Sequence, residues 1–234
     1  MLEYLIWVVL WSTLVIVAYS LRDDLAEPML WSGVSYALVM GLGFGLWKLI
    51  SLFTPFGEPL VPGYFSPPSL FNLAKLYGGF SIESLLFTLV LGAVCALLYP
   101  LLFKKGFSKP NRKPRHIAPV IAALIAVIIQ KILLLNLIYM IIIFGLATAL
   151  IIWIQRKDLI RASLVTGIAM LGIYLCGFIL FNQLFPYYLQ VYYHFQAVSG
   201  MLLFGVPLEE LVYALTLGMA WGVMYNYFTG RSYA

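Results

Sequence analysis

Glu83, Glu209 and Glu210 are the residues whose type and setting could do chemistry. Each lies in an otherwise apolar run, Gly79–Tyr99 or Gly205–Tyr225. An ionisable group in such a run is costly to bury and marks a functional site by default. Two carboxyls held close together can keep a proton at neutral pH and deliver it to an apolar substrate. Glu209 and Glu210 are sequence neighbours, so on a helix they point about 100° apart and only one can be central. The structural alternative is N-terminal capping of a helix plus a hydrogen bond between helices. For the Glu83/Glu209 pair we favour the functional reading.

The pair is suggested by an internal duplication. Gly79–Tyr99 lies over Gly205–Tyr225 without a gap. Gly79 meets Gly205, Glu83 meets Glu209, Phe87 meets Tyr213, Gly92 meets Gly218 and Tyr99 meets Tyr225. Apolar helices resemble one another by chance, but a Glu, two Gly and a Tyr in register are harder to obtain that way. Both glutamates fall in the first turn of a helix, where the macrodipole favours a carboxylate. Pro207 suits the start of the second of these helices.

The elements that must position these groups are membrane helices. Hydrophobic residues make up 63% of the 234 positions and charged ones 10%, and the mean hydropathy is +0.99. A soluble domain carries about 25% charged residues, so an ordinary water-facing surface cannot be built here. The long apolar runs predict spans at 2–21, 29–53, 80–103, 117–134, 136–155, 160–181 and 201–228. Their unbroken length argues against a β-barrel. The fold class expected is all-α integral membrane, with about seven transmembrane helices as two parallel three-helix repeats joined by a linker helix. Residues 1–103 form the first repeat, 104–134 the basic loop and linker helix, and 135–234 the second repeat. The division of Ile117–Ile154 rests on Gln130, Lys131 and Asn136, the one polar turn in that run.

Net charge is +5, concentrated in Lys104–His116. We read this as a cytoplasmic loop obeying the positive-inside rule, not as a nucleic-acid patch. Arg156, Lys157, Arg161 and Arg231 then fall on the same side, with the N-terminus outside and the C-terminus cytoplasmic. A prokaryotic plasma membrane is the expected location. Residues 54–79 and 182–200 become long, aromatic-rich outer segments, able to lie at the interface or cover a cavity. Lys131 is expected to snorkel at the outer surface.

Gly41–Gly45 lacks dinucleotide-binding spacing, and close helix packing is its expected role. His116 falls in the basic loop and His194 in an aromatic outer segment, and two His so placed make no metal cluster; His194 is expected at the interface, with a minor proton-relay role as the alternative. No nucleophile elbow or P-loop is present, and the Arg and His residues that prenyl proteases need after a double Glu are missing.

Pro207, Glu209 and Glu210, leading into an aromatic, Gly-containing helix, resemble the small membrane-bound lycopene cyclases, which occur as two short subunits or as one fused chain of two homologous halves. Those halves carry Pro-x-Glu-Glu/Asp before a Phe-Phe pair. Here Val212–Tyr213 stands at the aromatic pair, and in the first copy Ser81 and Ser84 replace the proline and the second acid. The resemblance implies a carotenoid or isoprenoid cyclase acting by redox-neutral, proton-initiated ring closure without a cofactor. Glu209 would then be the proton donor and Glu83 its partner or base, with Glu210 a second candidate for either role. Phe87, Tyr213 and Trp221 would be the aromatic faces toward the cation and substrate. The partners implied are membrane lipids and a hydrophobic isoprenoid; a homo-oligomer is compatible with this, and nucleic acid is not expected. The competing readings are a lipid- or carotenoid-binding protein without catalysis, and a small-solute transporter built from parallel repeats. The prolines that small sugar uniporters carry in the first helix of each repeat are absent here.

Overall fold

The computed structural model describes residues 2–66, 69, 73–76 and 79–234, and among these the chain is almost wholly helical. The main helices are α1 (Leu2–Leu21), α2 (Ala26–Ser51), α4 (Ile82–Phe103), α5 (Ile117–Leu133), α6 (Leu137–Gln155) and α7 (Ile160–Leu184). Short pieces α3 (Leu73–Leu76) and α8 (Tyr188–Tyr192) lie in the two long connections, and α9 (Leu208–Trp221) continues into α10 (Met224–Thr229). Among the described residues α1, α2, α4, α6 and α7 are long and apolar enough to cross a membrane, and α5 is a shorter apolar helix. The protein is therefore read as an integral membrane protein of the all-α class.

Polar residues end the helices where the sequence puts them. Leu134 closes α5 in the left-handed region, and Asn136 caps α6 by accepting from the Ile138 amide at 3.2 Å. Beside this turn, Lys131 hydrogen-bonds Thr54 and the Pro55 carbonyl, while the Gln130 amide donates to the carbonyls of Leu135 and Phe56. The α5–α6 turn thus pins the start of the first long connection.

The last span differs from expectation. Its helix begins at Leu208, because residues 202–207 form a two-stranded hairpin, with Leu203 paired to Val206. Phe204 and Gly205 both take positive φ (53° and 78°), as a tight type I′ turn requires. The helix also breaks at Gly222–Val223, where the freed Gly222 carbonyl accepts from Tyr233 at 2.8 Å.

Helices pack at glycine notches. A Cβ on Gly92 of α4 would lie 2.6 Å from the Ser32 carbonyl and 3.0 Å from Gly33 Cα of α2. A Cβ on Gly218 of α9 would lie 2.7 Å from the Thr166 carbonyl and 2.9 Å from Gly167 Cα of α7. The Gly41–Gly45 cluster does not do this. Gly43 and Gly45 have nothing within 4 Å of a Cβ, and Gly41 meets the Phe80 ring. The expected packing role thus falls to Gly33, Gly92, Gly167 and Gly218.

Basic residues gather at one end. Arg22 grips Asp24 with two hydrogen bonds and the Lys105 carbonyl with a third. Arg156, buried, grips Asp158 in the same way and also reaches the Asn226 and Arg231 carbonyls. At the opposite end, the two long connections pair with each other. The Ser66 amide donates to the Tyr192 carbonyl, and the His194 amide to the Tyr64 carbonyl, both at 2.8 Å.

Candidate active site

Under this pair of connections lies a cavity of about 100 Å³, reached by α1, α2, α4, α6, α7 and α9. Helix α9 starts directly after Pro207, so Glu209 and Glu210 both sit in its first turn. Their adjacency sends them to different environments. Glu209 turns toward the connection: its Oε1 accepts from Tyr139 Oη at 2.8 Å and from the Ser199 amide at 2.9 Å. Glu210 turns into the cavity, where its Oε2 accepts from Tyr174 Oη at 3.0 Å. It is the one carboxylate lining the cavity among the described residues.

The other candidates divide similarly. Glu83 is buried in the first turn of α4 and does not line the cavity. The residue after it, Ser84, does, and its Oγ accepts from Tyr4 Oη at 3.4 Å. Phe87 and Tyr213 both line the cavity. Tyr213 Oη is held 2.7 Å from Tyr36 Oη. Trp221 lies deeper, with its indole N–H donating to the Ser32 carbonyl at 3.2 Å and its ring 4.8 Å from Tyr36. It fixes the α2–α9 contact instead of lining the cavity.

Aromatic residues that the sequence reading did not single out make up much of the wall. Trp7 packs 4.9 Å from both Phe178 and Phe181, and 6.1 Å from Tyr174. Phe65 and Tyr193, 4.6 Å apart, close the outer side. Their ring faces carry negative potential and can hold a cation close in a dry site. One signal could have found them: Tyr174, Phe178 and Phe181 recur at helical spacing on the buried face of α7. Among the described residues, no group of three His, Cys, Asp or Glu side chains is placed to hold a metal.

The fold and cavity define a class: an integral membrane protein with a carboxyl group in an aromatic, apolar site. Residues 136–228, from the cap of α6 to α10, match the family model described as lycopene cyclase. No curated protein and no solved structure matches the chain.

Proposed function

We propose that the protein is a membrane-embedded isoprenoid cyclase of the lycopene cyclase kind, with Glu210 as the group that carries the exchangeable proton. The observation behind this assignment is that Glu210, and neither Glu209 nor Glu83, lines the aromatic cavity. Glu210 adds its proton to a terminal alkene. The carbocation is attacked by an internal double bond, the ring closes, and a proton leaves to the regenerated carboxylate. Atoms and electrons balance with no oxidant, so no cofactor is needed. Phe87 and Tyr213 face the cation. Glu209, held by Tyr139 and Ser199, fixes the lid connection over the cavity. Glu83 holds the matching place at the start of α4.

The same reading makes the chain a fused duplication of seven crossings. Helices α1, α2 and α4 (within 1–103) form one unit. Helices α6, α7 and α9–α10 (within 135–234) form the other, and 104–134 supplies the basic loop and the linker α5. Three observations support it. The notches Gly33/Gly92 and Gly167/Gly218 have the same neighbours, Ser32 answering Thr166. The Arg22–Asp24 and Arg156–Asp158 grips precede equivalent helices. The family match begins where the second unit begins. The basic end is placed in the cytoplasm and the cavity lid outside, in the plasma membrane of a prokaryote.

The test is expression in bacterial cells that accumulate lycopene, with chromatography of the extracted pigments. The parent should yield cyclised carotenoid, and Glu210→Gln should leave lycopene while the protein persists in the membrane. Unchanged lycopene with abundant parent protein would favour the carotenoid-binding reading. Ser84, which occupies the acid's place in the first unit, is the observation that keeps that reading in play.

A further inference from the structure

A second, larger hollow flanks the acid cavity. It is an apolar groove of about 490 Å³ between α2, α5 and α6. That size falls in the usual range for ligand sites, roughly 300–1,000 Å³. Met40, Phe44 and Ile141 line both spaces, so only these side chains stand where the groove adjoins the cavity that holds Glu210. Its outer end is closed where Trp47 donates to the Phe56 carbonyl at 3.2 Å. Its mouth is framed by Leu42, Leu46 and Leu124, each more than half exposed, at the level of the spans.

The other flank of the cavity is filled at the corresponding level. There Gly177 of α7 stands where Gly43 stands on α2, but a Cβ on Gly177 would meet Trp7 at 3.2 Å and Trp11 at 3.7 Å. Around Gly43 there is nothing within 4 Å. On α6 the positions answering Trp7 and Trp11 are Ile141 and Gly145. Two indoles therefore plug one side, and their absence leaves the other open.

Resting on the cyclase reading, we propose that the α2–α5–α6 groove is a lateral channel that admits the substrate from the bilayer and holds its long apolar arm while the terminal alkene lies at Glu210. The occupant follows from the lining. The groove has almost no polar surface and leads from hydrocarbon to the acid, which suits a linear hydrocarbon chain with no headgroup to house.

The test uses the full chain in nanodiscs and a geranylgeranyl chain bearing a terminal diazirine as photo-probe. Cross-links should fall within residues 39–50, 119–127 and 137–144. Gly43→Trp should cut labelling at least about tenfold, and Ala123→Phe should do the same if the first variant fails to accumulate. Gly45→Trp, outside the groove and equally free of neighbours, should label as the parent does. In lycopene-accumulating cells Gly43→Trp should lower cyclised product by a similar factor. Labelling outside the groove, labelling that survives both groove variants, or undiminished cyclisation in Gly43→Trp would overturn the channel and leave the groove to bulk lipid. Groove labelling lost in Gly43→Trp, with no cyclisation by the parent, would keep the channel and remove the activity.

Discussion

In the proposed duplication the two halves share a frame and differ in what fills it. In the first, Trp7, Trp11 and Ser84 stand beside the cavity; in the second, Ile141, Gly145 and Glu210 occupy the answering positions. The frame contacts hardly change between halves, since a helix crossing at backbone contact tolerates only glycine and an arginine grip needs its carboxylate. The filling changes freely. Such a chain can keep one architecture while placing its acid on one side and its opening on the other.

The sharpest way to break the comparison is at the acid. Glu210→Gln should lower cyclisation by about 10²–10⁴, the usual worth of a general acid, read from pigment ratios at equal protein. Ser84→Ala should cost far less, because a hydroxyl there has no proton to give to an alkene. Equal losses would mean that both halves carry the chemistry.

The arginine grips come next. Arg156 is 3% exposed, so Asp158→Asn leaves a buried cation poorly paired and should cost about 2–3 kcal/mol. Asp24→Asn, on a grip in solvent, should cost under about 1 kcal/mol. Thermal unfolding in detergent measures both. Hydrogen bonds from Arg156 hold the Asp158 carboxyl below its ordinary range, and Arg22 does the same for Asp24. Their stabilisation is present above the unfolded carboxyl value of about 4 and is lost as pH falls through the lower folded values. The parent should therefore lose stability in acid, and Asp158→Asn should flatten that loss.

The glycine notches test whether the halves are mechanically equivalent. Gly92→Ala and Gly218→Ala should each destabilise by about 1–3 kcal/mol, and by similar amounts. Gly45→Ala, inside α2 with no neighbour to meet, should leave the same melting curve unchanged or raise stability by up to about 1 kcal/mol. The smallest effect expected is Tyr139→Phe, which removes one hydrogen bond to Glu209 and should cost about 1 kcal/mol.

Much of the fold could be read from the chain. The helix α4 falls inside its predicted span, and α5, α6 and the turn between them follow the polar residues at 130–136. The proposed register of Glu83 with Glu209 was visible because glycine, acid and tyrosine keep their identity. The register of α2 with α7 was not. There the buried faces answer each other as Tyr36 to Met170, Met40 to Tyr174 and Trp47 to Phe181, and apolar volume is exchangeable between such residues. The repeated Arg-x-Asp-Leu at Arg22 and Arg156 was the missed signal. The choice between Glu209 and Glu210 lay beyond the sequence, because it depends on where α9 starts. The Phe204–Gly205 turn moved that start to Leu208.

The mouth of the groove at Leu42, Leu46 and Leu124 has a consequence for how the reaction must be measured. A site that faces hydrocarbon samples the mole fraction of polyene in the lipid, not its amount per volume of buffer. Adding inert phospholipid at constant enzyme and polyene should slow turnover, whereas diluting the same vesicles into more water should leave the rate per enzyme unchanged.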